Sequence, residues 1–514
     1  MKGSLRALAL TLALLSACSD EAAVVVPIDG DGDAAPLDAL VNDAAPLDAL
    51  DATTPDAAPR DALDATTPDA SALDAPLDAL DAPLDALDAP LDALDATRDA
   101  PRDAPRDVTR DASADVPADA PAGTPTRPFG AHRTGYTAGA ILPTVSQARL
   151  DATTASFYDR WKARYLHRGC TASRAYIATL GDTSGATVSE AHGYGMLVTV
   201  YMAGHDPDAR TTFDALARFY QDHPSRFTPA LMAWAQDGTC RDIMGADSAT
   251  DGDLDVAYAL LLADRQWGSR GAIDYATLAR RIIADALRGD VHPTGATLLT
   301  GDAAMTSADR DGTRLSDFMP DHLRAFASAS GAARWTAVLD REYQVVATLQ
   351  RNNPMSALGV ATGLLPDFAV GMNAGRPVPA PPRWLESADD GAYAWNACRT
   401  PWRIATDWLL HGDARARAAV STMNTWVRRA TGERPDRIQS GYSLAGVRLN
   451  GAGTGEMAFV APFAVAAMVD ARNQAWLDAL WPAITTPAIT TQGYFGNTVR
   501  MLSMIVVSGN AWAP

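Results

Sequence analysis

The chain has 514 residues, with 62 Asp and Glu against 43 Lys and Arg and a formal net charge of −19. Residues 20–125 hold 25 Asp and one Glu against five Arg and so carry −21; once Lys2 and Arg6 are set aside, the chain after residue 125 has no net charge. A neutral folded part without a basic patch excludes electrostatic nucleic-acid binding, and the acidity of the whole says nothing about a substrate.

Lys2 and Arg6 precede an apolar run from Ala7 to Leu15, too short for a permanent membrane helix and read as a bacterial export signal. The run ends in Leu15-Ser16-Ala17-Cys18, which resembles the lipobox of bacterial lipoproteins. That resemblance makes Cys18 the expected acylation site, and Ser19 after it favours the outer membrane; an ordinary signal peptide with an incidental Cys is the alternative. The next hundred residues repeat units such as Leu-Asp-Ala-Leu-Asp-Ala-Pro between Leu77 and Pro90. A Pro every seventh residue breaks any coiled coil, and like charge without aromatic side chains leaves nothing to offset the entropy of ordering. The expected organisation is therefore a lipoprotein signal at 1–18, a disordered tether at 19–127 and one folded domain at 128–514. Three cysteines follow Cys18, namely Cys170, Cys240 and Cys398. One pair can bridge in an oxidising compartment, but spacing does not choose it, and no Cys has metal-ligand spacing.

All twelve Trp lie after residue 160, where helical periodicity also begins. The first motif, Ser189-Glu190-Ala191-His192-Gly193-Tyr194-Gly195-Met196, sets a carboxylic acid beside a Gly-punctuated turn leading into an apolar helix over 194–203. Burial of such an acid raises its pKa, as a general acid requires, while a helix first-turn Glu accounts for it equally well. A helix over 212–220 follows. The second motif, Thr250-Asp251-Gly252-Asp253-Leu254-Asp255, opens a helix over 253–267 with Thr250 or Asp251 as N-cap. It lacks the Glu that closes a calcium loop, and helix-dipole stabilisation explains one or two of its acids. After a helix over 273–287, Asp317 either faces a cleft or caps the helix that starts at Pro320. A helix over 335–349 leads to the third motif, Trp384-Leu385-Glu386 through Asp389-Asp390 to Trp395-Asn396-Ala397-Cys398-Arg399, crowded with acids, aromatic rings and Arg. The helix from Pro401 to Gly412, with Trp402 and Trp408 on its core face, and helices over 415–429, 459–469 and 499–507 complete the reading. Nearly twelve helices with short loops suggest an all-α domain of helical hairpins closed into a double ring.

Together, and in this order, the three motifs resemble the family 8 glycoside hydrolases. The resemblance covers nearly all of the chain after residue 128 and implies an (α/α)6 barrel. It further implies endo-acting, inverting hydrolysis of a β-1,4-linked polysaccharide, whether glucan, chitosan or xylan. It makes Glu190 the general acid and Asp251 the residue that holds the distorted sugar. Many members have Asp as general base where this chain has Asn396, which cannot take a proton; Arg399 still matches the family's Arg. Members of the branch resembling chitosanases and some glucanases recruit a Glu from a preceding loop, which points to Glu386 as base, with Asp389 and Asp390 in reserve.

The expected reaction has Glu190 protonate the leaving oxygen while Glu386 deprotonates a water on the opposite ring face, with the two carboxyls roughly 6.5–9.5 Å apart. Tyr194, Trp234 and Trp395 are the expected stacking platforms, and Asp317, Asn396 and Arg399 further substrate contacts. The acids at 386, 389 and 390 lean towards cationic chitosan, with mixed-linkage glucan and cellulose as alternatives of equal standing. No cofactor or metal is expected, and the chain is read as a monomer. Two other readings are a polysaccharide-binding surface protein whose catalysis is lost through Asn396, and a polysaccharide lyase.

Overall fold

The computed structural model describes residues 124–514, Ser184 excepted, so Cys18, the export segment and the acidic tether lie outside the described residues. Among the described residues twelve α-helices follow one another: α1 (Gln147–Tyr165), α2 (Ser189–Tyr201), α3 (Ala209–Asp222), α4 (Thr250–Trp267), α5 (Tyr275–Gly289), α6 (Pro320–Ser330), α7 (Ala333–Arg351), α8 (Thr400–His411), α9 (Ala414–Thr431), α10 (Met457–Ala467), α11 (Gln474–Thr485) and α12 (Tyr494–Val507). Odd-numbered helices bury one face: α3 turns Phe213, Leu216, Phe219 and Tyr220 inward and leaves Thr211, Gln221 and Asp222 in solvent. Even-numbered helices other than α6 are far more enclosed, and α10 carries no charge and is buried at every residue. A helix apolar on all sides needs protein all round, whereas one apolar stripe suits a surface helix. That pattern, together with the packing of α6 between α4 and α8, puts six helices inside and six outside.

The inner helices close on themselves: α2 packs on α4, α4 on α6, α6 on α8, α8 on α10, α10 on α12, and α12 back on α2. The fold is thus an (α/α)6 barrel of helical hairpins. Each inner helix is separated from the next by one returning outer helix, so all six run the same way and their N-terminal ends share one pole. The described chain enters at the other pole, where Thr126 N–H donates to Gln266 O (3.0 Å) and Arg127 N–H to the Gln266 side chain (2.7 Å) in the last turn of α4.

Ten helices lie where the periodicity predicts them, and α1 and α11 are additional. Several boundaries are corrected, among them the start of α12, at Tyr494 rather than residue 499, and that of α3, at Ala209 rather than residue 212. Helix α2 starts at Ser189 rather than Tyr194, so Glu190 belongs to its first turn. Helix α4 starts at Thr250 with Ala249 as N-cap and no side-chain cap, rather than at Asp253 behind a Thr250 or Asp251 cap. The glycines that read as turn punctuation lie inside these helices and let them approach. A Cβ on Gly193 would stand 2.6 Å from the Cβ of Asp255, and one on Gly252 2.5 Å from the backbone of Ser189.

Three small antiparallel sheets frame the loops at the N-terminal pole: β1 (Leu166–Arg168) with β2 (Ala175–Ile177), β3 (Thr187–Val188) with β4 (Ala235–Gln236), and β5 (Gly312–Arg314), β6 (Phe368–Val370) and β7 (Val378–Pro379) side by side. A disulfide joins Cys170 to Cys240, tying the turn between β1 and β2 to the loop after β4, while Cys398 is free and buried.

Candidate active site

Strand β3 runs directly into α2, and Ser189 N–H donates to Trp234 O (2.8 Å), which places Glu190 at the pole. Arg399, just before α8, is the hub beside it. Its Nη1 donates to Glu190 Oε2 (2.6 Å), Asp251 Oδ2 (3.0 Å) and the Tyr194 hydroxyl (3.1 Å), and its Nη2 to Asn396 Oδ1 (2.7 Å). Asn396 in turn donates from Nδ2 to Glu386 Oε2 (2.7 Å). A guanidinium can only donate, so Asn396 must offer its oxygen to Arg399 and its NH2 to Glu386. Arg314, at the end of β5, closes the circuit, with Nη1 3.2 Å from Asp251 Oδ2 and Nη2 3.7 Å from Glu386 Oε1. Arg399, Asp251, Arg314, Glu386 and Asn396 thus form a closed ring of hydrogen bonds and ion pairs, from which Glu190 extends. Enclosed charges persist only when paired in this way.

The ring separates the carboxyl groups electrically. Burial pushes Glu190 up to about 7, against the pull of Arg399 and with reinforcement from Asp251. Burial would also raise Asp251, but Arg314 and Arg399 together outweigh it and hold that carboxyl below its usual range. Burial raises Glu386 as well, opposed by Arg314, the Asn396 amide and Arg399. The side chain of Glu190 is the most exposed of the three, at 17 % against 5 % for Asp251 and 9 % for Glu386. Glu190 Oε1 also accepts from the Tyr494 hydroxyl (3.1 Å) at the start of α12. An acid that keeps its proton near neutrality thus stands one guanidinium away from Asp251, a carboxylate held ionised by two cations.

The three acids of the second motif take different partners. Asp251 joins the ring, Asp253 accepts from the Tyr220 hydroxyl (2.7 Å) and Met232 N–H (3.0 Å), and Asp255 pairs with Arg403 (2.7 Å) and His322 (2.9 Å). Asp317 is wholly buried behind Arg314, 3.8 Å from its Nη1, and is pushed up to about 7 by that burial. It neither lines an open cleft nor caps α6, whose N-cap is Met319. Tyr194 is also fully enclosed, edge-on to Trp402 and beneath Arg403, so its phenol serves Arg399 and offers no face for stacking. Trp234 and Trp395 are half-buried, and Trp395 stands edge-on to Phe459 with Phe495 alongside. Asp389 is half-buried, whereas Asp390 is fully enclosed and accepts three backbone N–H groups.

Three residues at the site escape the motif reading: Arg314, Tyr494 and Phe495, whose ring lies 5.6 Å from the Arg399 guanidinium. Tyr494 had a legible signal, since Gly493-Tyr494-Phe495-Gly496 sets aromatic rings between glycines at a helix start, as Gly193-Tyr194-Gly195 does within α2. Arg314 lies three residues from Asp317 in sequence, but nothing local marks it.

The family model for glycosyl hydrolases family 8 matches residues 135–509. A β-glucanase of Niallia circulans is 44 % identical over 389 residues, spanning 76 % of this chain and 92 % of that protein. An endoglucanase of Bacillus sp. (strain KSM-330) is 33 % identical over 386 residues, spanning 73 % of this chain and 80 % of its own. The apo structure of a β-1,3-1,4-glucanase from Paenibacillus sp. X4 superposes with a TM-score of 0.71 at 43 % identity, covering 76 % of this chain and all of that one. With the three motifs gathered around one pole of an (α/α)6 barrel, these matches make the chain a member of glycosyl hydrolases family 8, and so a glycoside hydrolase.

Proposed function

We propose that this hydrolase is an endo-acting β-glucanase that cleaves mixed β-1,3-1,4-linked glucan with inversion, using Glu190 as general acid and Glu386 as general base. The observation that carries the reading is the hydrogen-bonded path Glu190–Arg399–Asn396–Glu386, which links two carboxyls at the same pole. Glu190 donates its proton to the departing glycosidic oxygen. Glu386 accepts a proton from the attacking water, and Arg314 and the Asn396 NH2 favour its ionised form beforehand. Asp251, bracketed by two Arg, steadies the strained sugar and the positive charge that develops on it.

A neutral substrate suits the ring better than chitosan does. Asp390 turns inward onto backbone N–H groups, and Arg314 stands beside both Asp251 and Glu386, so of the acids at 386, 389 and 390 only the half-buried Asp389 is left to draw a cationic polymer. The names of the similar proteins, a β-glucanase and a β-1,3-1,4-glucanase, point the same way. The reading of Asn396 as a mark of lost catalysis is disfavoured by the carboxylate directly beside it. Export and acylation at Cys18, with anchoring to the outer membrane, remain part of the proposal, and fractionation of wild type against Cys18→Ala tests them.

Reducing-sugar release from lichenan, barley β-glucan, carboxymethylcellulose and chitosan is the deciding experiment. Mixed-linkage glucan is expected to be cut fastest, and Glu190→Gln and Glu386→Gln to lose nearly all activity while folding normally. Preference for chitosan, or full activity in Glu386→Gln, would overturn the assignment. Polarimetry or proton NMR of the first product reads the anomeric outcome.

A further inference from the structure

Glu386 stands on a loop without helix or strand, between Arg383 and Gly391. A general base nonetheless has to be held to within about half an ångström of its working position. The structure supplies an anchor four residues away. Asp390 Oδ2 accepts the N–H of Leu385 (2.7 Å) and of Glu386 itself (3.0 Å), and Oδ1 accepts that of Ser387 (2.7 Å). Three successive amides converging on one carboxylate make an anion-holding nest, and bonds to an ionised acceptor are about twice as strong as neutral ones. The anchor is itself fixed, because Phe368 N–H in β6 donates to Asp390 O (2.9 Å) and Asp367 N–H to Ala392 O (2.7 Å). A second buried carboxylate, Asp367, accepts the N–H groups of Ala394 (3.0 Å) and Ala397 (2.6 Å), on either side of Asn396. The two partners Glu386 and Asn396 are thus each presented by a backbone segment wrapped around an internal Asp.

We infer that Asp390 is a positioning residue for the general base: it organises residues 385–387 so that the Glu386 carboxyl meets the Asn396 amide and Arg314. This rests on the proposed role of Glu386 and replaces the sequence expectation that Asp390 could itself serve as base. With no exposed surface and both oxygens occupied by amides, Asp390 has no access to a water.

The test is a double-mutant cycle on mixed-linkage glucan with Asp390→Asn, Glu386→Ala and the pair. An Asn presents an NH2 group to amides that themselves donate, so the nest opens. Asp390→Asn is expected to lose about 10–100-fold in kcat, in line with an ångström-scale displacement of a catalytic group, with KM within about threefold of wild type. In the Glu386→Ala background the same change is expected to cost nothing further, since no base is left to position. Loss of the full factor in that background, wild-type kcat in Asp390→Asn, or restoration of Asp390→Asn by added formate or azide would each overturn the inference. Full activity in Glu386→Ala would instead remove the base assignment on which it rests. Should Asp390→Asn fail to fold, amide hydrogen exchange in the wild-type chain decides: slow exchange at Leu385, Glu386 and Ser387 supports the nest, and exchange at loop rates refutes it.

Discussion

The Asn396 NH2 donates to Glu386 Oε2 at 2.7 Å, and its orientation is fixed because Arg399 claims the amide oxygen. The residue that looked like a missing base is thereby the hydrogen-bond donor of the carboxylate beside it. Asn396→Asp would set a second acid against Glu386, and a like charge raises the pKa of its neighbour. The acidic limb of kcat/KM is therefore expected to move to higher pH by about one unit, which narrows the active range below the fall that Glu190 sets. A pH–rate profile identical to wild type would contradict this.

Glu190 must be protonated to act, and its carboxyl is pushed up to about 7 by burial. The kcat/KM of the free enzyme is accordingly expected to fall as pH rises through about 7. Tyr494→Phe removes a donor that favours the ionised form. The acid form then persists further, and the basic limb is expected to shift upward by about half a unit to one unit.

Gly193 and Gly252 allow α2 and α4 to touch. A Cβ at either site would stand within 2.6 Å of the facing helix. Alanine at either position is expected to cost about 1–3 kcal/mol through overpacking. It should also reduce kcat sharply, because Glu190 and Asp251 ride on the displaced turns. Calorimetry and kinetics on the two variants test both expectations; wild-type Tm with wild-type kcat would show that the helices have slack.

The Cys170–Cys240 bridge closes a loop of 70 residues at the pole without touching the charged ring. Its replacement by two alanines is expected to lower unfolding free energy by about 2–4 kcal/mol while leaving kcat within about twofold of wild type. Urea denaturation and initial rates measure the two quantities separately.

How much of this was legible from residues alone depends on range. Local periodicity places ten of the helices, and their number with short loops suggests the double ring. Glu190, Asp251, Glu386, Asn396 and Arg399 do meet, as the three motifs imply. What escaped depends on the third dimension. Arg314 reveals its place only when β5 brings it between Asp251 and Glu386. Tyr194 and Asp390 look like cleft residues because ring and charge are visible in sequence, whereas the enclosure that gives them to Arg399 and to the backbone is not. The glycines of the first two motifs mislead for a related reason: a missing side chain marks a tight turn or a tight helix contact equally, and only packing distinguishes them.

The contact of Thr126 with Gln266 has a practical side. Gln266 is 15 residues along α4 from Asp251, which at about 1.5 Å per residue is roughly 22 Å of helix. The leading segment therefore joins the barrel at its base while the reactive groups open at its rim. Fastened by that end to a bead or a lipid sheet, the domain would keep its rim clear for a long polymer to lie across.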